Sequence, residues 1–240
     1  LERTLGPATM GNKLAQRIFQ SLCKWNMTRY VKDRALREKL MPSSKAGCKR
    51  LVICSSFYKS IVRDNVTLET DAIECITPKG VRMTSGKEHE LDTLVLCTGF
   101  HSDRYLLPVD VRGESGASLA DVWSGAPRAH RAVSVPKFPN LWFLQGPTGP
   151  VGNISLVSVG EIQSKYIVEC LKKMRADGLV SMHAKRESFD AFNADLRKSV
   201  KNTLWATGGC ISWYIDASGD PNLYSQPPAQ FYRDMKAPNF

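Results

Sequence analysis

The chain has 240 residues, of which 42% are hydrophobic and 9% aromatic, and its formal net charge is +10 at pH 7. This length and apolar content suffice for a packed core and exclude an intrinsically disordered chain. No apolar run approaches the roughly 18 residues of a membrane-spanning helix, and the first residues show no signal-peptide pattern. The chain does not begin with Met, which we interpret as a piece cut from a longer protein.

Basic residues are concentrated at the start of the chain. Residues 1–50 hold twelve Lys and Arg against three acidic residues. A nucleic-acid-binding arm is one interpretation of such a segment. The basic residues follow a helical spacing, however, and no nucleic-acid-binding motif follows them. We therefore expect no nucleic-acid partner and a solvated helical face, with part of the charge meeting the phosphates of a dinucleotide.

Seven cysteines are scattered along the chain without a Cys-x-x-Cys pair; they are Cys23, Cys48, Cys54, Cys75, Cys97, Cys170 and Cys210. This pattern favours reduced, mostly buried thiols and a cytoplasmic protein. The four histidines share no spacing with a carboxylate or cysteine partner, so we expect neither a metal site nor a catalytic triad.

Helical periodicity predicts a first helix over residues 11–25 and a second over 33–40, capped by Asp33 and ended by Pro42. Residues 56–62 follow as a helical turn. Further along, residues 161–174 form a predicted helix that stops at Asp177-Gly178, and residues 188–205 form another. The intervening residues 103–136 are rich in loop signals.

Short strands are predicted between these helices. Residues 50–54 are apolar, and residues 66–70, 72–77 and 80–84 alternate with period two, punctuated by hairpin turns at 78–80 and 85–87. Two further segments are expected to be buried strands. The first is Asp92-Thr-Leu-Val-Leu-Cys-Thr-Gly-Phe100, and the second is residues 137–147, which end in Gly146-Pro147.

These landmarks occur in an order more specific than any one of them. They are Gly47-Cys-Lys-Arg50, a meander from Asn65, Leu91-Asp92 to Phe100, Gly113 to Gly116 with Asp121-Val-Trp123, Phe138-Pro-Asn140 to Gly146-Pro147, Glu161-x-Gln163-x-x-Tyr166-Ile167, and Gly209-Cys-Ile-Ser-Trp-Tyr214. From about Lys32 to the end, the chain resembles the C-terminal part of the flavoprotein monooxygenases of the Baeyer–Villiger type. Its Ser-Trp-Tyr is most similar to the aryl-ketone, hydroxyacetophenone-type branch.

The resemblance implies an α/β fold, as part of a Rossmann-like flavoprotein with two dinucleotide-binding domains. Residues 1–48 would form a helical subdomain, 49–90 the returning part of the NADPH domain, and 91–240 the C-terminal part of the FAD domain. FAD and NADPH would be the cofactors. The implied reaction inserts one oxygen atom of O₂ into a ketone or onto a soft heteroatom.

The resemblance also implies roles for two basic residues. Arg50 matches the arginine that stabilises negative charge on the oxygenated flavin, for which an always-charged, planar guanidinium is suited. Lys49 matches the preceding lysine, which would neutralise cofactor phosphate or contact ribose hydroxyls. The alternative is that both are solvated loop residues.

The remaining site residues are implied in the same way. Trp213 would lie against the nicotinamide ribose, although a core-filling role is an equal alternative. Thr98 and Gly99 would pack on the cofactor side of the FAD domain. Gly146, Pro147, Ser155 and Leu156 would face the flavin ring, with the helix N-terminus near Ser155 and Leu156 offering N–H groups to its electron-rich edge. A plain glycine-rich loop is the alternative.

One departure from the family is an absence. The chain has no Gly-x-Gly-x-x-Gly turn, which is the sequence that binds the pyrophosphate of FAD or NADPH in this family. We expect the N-terminal half of the same protein to supply one such turn for each cofactor. Two other classes remain open. One is a non-catalytic remnant or binding module, and the other is a different flavoenzyme such as a disulfide reductase, which the lack of Cys-x-x-Cys disfavours.

Overall fold

The computed structural model describes residues 5–101, 104–106, 108–152, 154–211, 213–216, 219 and 222–240. The chain divides into two compact units. The first unit comprises residues 1–23, 42–52 and 102–240, and the second comprises 24–41 and 53–101. In chain order the elements are α1 Leu5–Thr9, α2 Lys13–Tyr30, α3 Arg34–Leu40, α4 Phe57–Ile61, β1 Ile73–Thr77, β2 Gly80–Met83, β3 Glu88–Glu90, α5 Leu119–Val122, α6 Leu156–Asp177, α7 Arg186–Val200, α8 Leu204–Thr207 and α9 Pro228–Asp234.

The main core of the first unit lies on one face of α6. Val159, Tyr166 and Cys170 recur at helical spacing and are buried together with residues of α7 and α9, among them Leu196 and Phe231. The predicted helix over 161–174 is confirmed, and it begins earlier, at Leu156. It ends at Gly178 as predicted, because glycine adopts the left-handed backbone (φ +66°) that terminates α6.

The predicted continuous helix over 188–205 is interrupted. Helix α7 ends at Val200, and α8 begins at Leu204 after a short turn. Thr203 adopts an extended backbone, and both its N–H and its hydroxyl donate to the carbonyl of Val200, at 2.9 and 2.6 Å. A threonine side chain competes for helix carbonyls in this way, which a count of apolar spacing does not register.

The second unit contains α3, α4 and an antiparallel sheet in the order β1-β2-β3. The predicted N-cap of α3 is confirmed, since the carboxylate of Asp33 accepts the N–H of Leu36 at 2.6 Å. Both hairpin turns are confirmed as well, with Thr77 opposite Gly80 and Arg82 opposite Glu88.

The four other predicted strands are wrong. Residues 50–54, 66–70, 92–100 and 137–147 form no strand, and residues 91–100 are exposed throughout, with Val95 75% and Leu96 70% accessible. A buried strand needs a continuous ladder of hydrogen bonds to neighbouring strands, and among the described residues none of these segments forms one. Residues 137–147 make separate backbone hydrogen bonds, such as that from the Phe143 N–H to the Val133 carbonyl at 2.8 Å. In 137–147 the apolar residues Phe138 and Phe143 are buried by loop packing instead.

Helix α2 confirms the first predicted helix and extends it to Tyr30. Its basic residues are exposed, as expected, but so are Leu14, Ile18 and Leu22, which the periodicity placed on an inward face. Within the described ranges, no helix is both long and apolar enough to cross a membrane.

The expectation of seven reduced, mostly buried cysteines is also wrong. Cys48 and Cys210 form a disulfide, with 6.1 Å between their Cα atoms. Of the other five, Cys170 is buried, Cys23 is half-buried, and Cys54, Cys75 and Cys97 are exposed. The pair is separated by 162 positions, so it is formed by the fold of the first unit and has no local spacing signal.

Candidate functional site

Lys49 and Arg50 lie side by side in an exposed loop of the first unit. The loop before them is fixed to the segment that follows α8. The N–H of Lys45 donates to the carbonyl of Gly208 at 3.0 Å, and Cys48, fully buried, is bonded to Cys210. The two basic side chains are thus presented to solvent from an anchored backbone.

Tyr214 connects Arg50 with the predicted Gly209–Tyr214 motif. Burial raises the pKa of the Tyr214 hydroxyl, and the positive charge of Arg50 opposes that rise. The ring of Tyr214 also packs edge-on against Trp205, with 6.1 Å between centroids, in a small apolar cluster that includes Leu223. The charge of Arg50 therefore acts on a buried aromatic residue that is adjacent to Trp213 in the chain.

Trp213 is 47% exposed, and its ring centroid lies 5.8 Å from that of Tyr214. A residue that fills a core would be largely buried, and of these two neighbours it is Tyr214, 6% exposed, that is buried. Ser212, the first residue of the predicted Ser-Trp-Tyr, lies outside the described residues.

The loop that leads into α6 passes beside the same tyrosine. A Cβ atom placed on Gly152, whose φ is +86°, would lie 3.4 Å from the hydroxyl of Tyr214. The positive φ favours glycine at this position, since a Cβ atom at that distance from Tyr214 would make only an ordinary van der Waals contact. Gly152 thus lies beside Tyr214 and Trp213, and the Cys48–Cys210 disulfide ties the loop that carries Lys49 and Arg50 to the segment that carries these aromatic residues.

A buried glutamine holds the start of that loop. The side-chain oxygen of Gln163 accepts the N–H of Gln145 at 2.7 Å, and Gln163 is fully buried. In turn, the side-chain amide of Gln145 donates to the carbonyl of Leu156 at 2.7 Å. Gln145 and Thr148 both adopt positive φ, at 57° and 63°, flanking Gly146 and Pro147. Such strained backbone persists only where its surroundings fix it, and it clusters at functional sites.

Helix α6 starts directly after the loop. Ser155 is its N-cap residue, with an extended backbone, and Leu156 is its first helical residue. The first turn carries no acidic side chain. The N-terminus of a helix of this length presents N–H groups and a partial positive charge, and both suit an electron-rich or anionic group.

These features fit one part of a flavin nucleotide and not the rest. The N-terminus of α6 suits the electron-rich edge of the flavin ring, and exposed Lys49 and Arg50 suit negative charge on cofactors. No Gly-x-Gly-x-x-Gly sequence is present to hold a pyrophosphate. The residues present therefore fit the flavin-ring part of such a site.

Thr98 and Gly99 belong to the second unit. Both are exposed, and Gly99 has φ of +92°, as the predicted turn after the motif requires. No described contact joins them to the other predicted site residues.

Sequence reasoning missed Tyr214, Gln163 and the Cys48–Cys210 bond. Gln163 and Tyr214 both stood in recognised motifs, but a motif does not say which distant backbone group a side chain will meet. Gln163 had one usable signal, because a glutamine on the apolar face of a helix is usually hydrogen-bonded when buried.

No family model matches the chain. An uncharacterized monooxygenase of Mycobacterium tuberculosis is 37% identical over 234 residues, which cover 98% of this chain and 47% of that protein. A Baeyer–Villiger monooxygenase of Pseudomonas aeruginosa is 33% identical over 212 residues, which cover 88% of this chain and 39% of the relative. The chain thus spans less than half the length of either relative.

Solved structures show the same relationship. A complex of the protein OTEMO with FAD and NADP matches 94% of this chain and 43% of its own, with a TM-score of 0.84 and 22% identity. Cyclohexanone monooxygenase from Rhodococcus sp., bound to NADP⁺, matches 96% of this chain and 44% of its own, with a TM-score of 0.83 and 25% identity. The predicted resemblance to part of a Baeyer–Villiger-type flavoprotein monooxygenase is confirmed, and with it the α/β fold of the two-dinucleotide flavoproteins.

Proposed function

Because the chain matches part of a flavoprotein monooxygenase, we propose that it completes the active site of an FAD- and NADPH-dependent enzyme that oxygenates a ketone or a soft heteroatom with O₂. The single observation that carries this proposal is that, within the first unit, the Cys48–Cys210 disulfide ties the Lys49–Arg50 loop to the segment that carries Trp213 and Tyr214, beside Gly152 of the loop that enters α6. The resemblance implies that these segments belong to one site.

The partner of the chain would be the upstream half of the same protein. That half would supply the pyrophosphate-binding turns for FAD and NADPH. It would also supply the neighbouring strands with which residues 92–100 could pair. In this arrangement residues 1–48 are the helical subdomain, 49–90 return to the NADPH domain and 91–240 complete the FAD domain. Thr98 and Gly99 would then pack on the cofactor side of the FAD domain. The protein would act in the cytoplasm, where NADPH is regenerated.

When bound, the reduced flavin supplies the chemistry that transfers one atom of O₂ to the substrate and the other to water. Arg50 would stabilise negative charge that develops near the flavin, because a guanidinium stays protonated at any working pH. Lys49 would offset cofactor phosphate. Trp213 would cover the ribose and nicotinamide with its exposed ring, and the α6 N-terminus at Ser155 and Leu156 would meet the electron-rich edge of the flavin.

The test uses the completed protein, meaning this chain joined to upstream residues that bring it to the length of its relatives. We expect the visible absorbance of oxidised flavin in the purified completed protein and weak or no such absorbance in the chain alone. Arg50→Ala should leave NADPH-driven flavin reduction nearly intact, because hydride moves before the guanidinium is needed. Formation of ester or lactone should fall about a hundredfold or more, corresponding to roughly 3 kcal/mol of lost stabilisation.

Arg63→Ala, another exposed basic residue, is the matched control and should change neither rate. An Arg50→Ala protein that forms oxygenated product at the parental rate removes Arg50 from the mechanism. A completed protein that folds without binding flavin favours the non-catalytic alternative.

A further inference from the structure

The disulfide joins the two segments that carry the candidate site residues. Cys48 immediately precedes Lys49 and Arg50, and Cys210 lies three positions before Trp213. The described backbone hydrogen bond between these segments runs from the Lys45 N–H to the Gly208 carbonyl, at 3.0 Å. The disulfide therefore adds a covalent link to these non-covalent contacts.

The two bonded cysteines differ in exposure. Cys48 is fully buried, and a Cβ atom placed on Gly208 would come within 2.5 Å of its sulfur, so the backbone of Gly208 closes over it. Cys210 is half-buried and lies between exposed Gly209 and Ile211, the latter 94% accessible. Because thiol–disulfide exchange begins when a thiolate attacks a reachable sulfur, we assign the attack to Cys210, the more exposed residue of the pair, with Cys48 as the leaving thiolate.

We propose that Cys48–Cys210 is a reversible thiol–disulfide switch that sets how firmly the Lys49–Arg50 loop is held against the segment from Gly209 to Tyr214. Closed, it ties the loop that carries Lys49 and Arg50 to the segment that carries Trp213 and Tyr214. Open, the loop is held by its backbone hydrogen bonds and packing alone. The bridge closes a span of 162 positions, so opening it removes a long-range constraint that no local turn replaces.

The chemistry balances with a peroxide as oxidant and a dithiol as reductant. In closing, the Cys210 thiolate attacks one oxygen of hydrogen peroxide, which breaks the O–O bond and leaves a sulfenic acid and hydroxide. Cys48 then attacks that sulfur and displaces water, so the thiols have lost two electrons and peroxide has become two molecules of water. In opening, one thiolate of a dithiol attacks the Cys210 sulfur and expels the Cys48 thiolate, and the second thiol of the reagent then attacks the mixed disulfide and expels Cys210. The dithiol leaves as its own disulfide, and its two electrons and two protons remain on the two protein thiols.

If the proposed function holds, the enzyme itself is a source of the hydrogen peroxide that closes the disulfide. A flavin monooxygenase that consumes NADPH without oxygenating its substrate releases peroxide. The consequence of the switch for catalysis rests on that proposed function. The thiol chemistry and the change in loop mobility do not rest on it.

The experiment measures tryptic cleavage after Lys49 and Arg50 in this chain, oxidised with hydrogen peroxide or reduced with dithiothreitol. Alkylation and peptide mass spectrometry report the state of each cysteine. We expect a linked Cys48–Cys210 peptide that forms and disappears reversibly, with cleavage at least tenfold faster in the reduced chain. Cys210→Ser should cleave fast in both conditions, and Cys54→Ser, which removes an exposed free thiol, should keep the redox dependence.

Equal cleavage rates in the oxidised and reduced chain, or failure of the linked peptide to form with peroxide, overturn the switch. Because both comparisons use the unmodified chain, poor folding of a variant does not decide the result. The completed protein separates the two proposals. Absence of bound flavin there refutes the proposed function and leaves the switch standing, whereas redox-independent cleavage refutes the switch even in an active enzyme.

Discussion

His130 should make the first unit less stable in mild acid. Its ring packs edge-on against Phe192, with 5.4 Å between centroids, and lies beside the main core. Burial, reinforced by the positive charge of Arg131, lowers the pKa of His130 from 6.5 to about 4. The folded protein therefore disfavours the imidazolium that the unfolded chain forms readily.

The difference between the His130 pKa in the unfolded and folded states sets both the direction and the size of the change in unfolding free energy with pH. Between about pH 6.5 and 4 the unfolded state binds a proton that the folded state refuses, so the free energy of unfolding falls as the pH falls through this window. With about 1.4 kcal/mol for each pKa unit, the lowering of the His130 pKa from 6.5 to about 4 corresponds to a loss of ~3 kcal/mol. The full contribution is present above pH 6.5.

Urea unfolding at pH 7.5 and 4.5, followed by tryptophan fluorescence, measures the effect. The pKa of Asp71, in the second unit, is lowered to about 2 by hydrogen bonds from Ser85 and Thr84, so its contribution is lost only in stronger acid. His130→Phe keeps an aromatic ring and removes the titration, so its unfolding free energy should change much less between the two pH values. A variant with the same pH dependence as the parent would refute the assignment to His130.

Three further changes test the site. Gln163→Leu removes the acceptor of the Gln145 N–H and should lower the free energy of unfolding, measured in urea, by about 1–3 kcal/mol. Ser164→Ala, on the same helix, is the control and should change it by less than about 0.5 kcal/mol. Equal losses in the two variants would refute the role of Gln163 in holding the loop at Gln145. In the completed protein, Lys49→Ala should raise the KM for NADPH in a salt-dependent way with flavin content unchanged, and a salt-independent change would contradict a charge contact. Trp213→Ala should release more hydrogen peroxide per NADPH consumed with little dependence on salt, and unchanged peroxide release would remove Trp213 from the cofactor site.

Elements with local signals could be predicted from the sequence. Asp33 capped its helix, Gly178 ended α6, and the hairpins closed at their turn residues, because each of these depends on neighbours a few positions away. Strands whose partners lie far away in the chain could not be predicted in this way. The apolar run from Leu94 to Leu96 carries a clear strand composition, yet it is exposed, since a strand's burial depends on neighbouring strands that composition cannot supply.

The site was predictable only as a set of segments. The family resemblance implied that Arg50 and Trp213 share a site, but it did not indicate that Gly152 lies beside Tyr214. Nor could spacing pair Cys48 with Cys210 among seven cysteines. Each of these contacts joins residues tens to more than a hundred positions apart, where only the folded backbone decides the pairing.

The central claim is that this chain completes a flavin-dependent oxygenating site. It is tested most directly by supplying the completed protein with NADPH, a ketone and ¹⁸O₂, and measuring the mass of the product. We expect an ester or lactone that carries one ¹⁸O atom, formed in proportion to the NADPH consumed, and a large loss of that product in Arg50→Ala. A flavin-loaded, NADPH-oxidising protein that gives hydrogen peroxide alone with every ketone and thioether tested would contradict the claim.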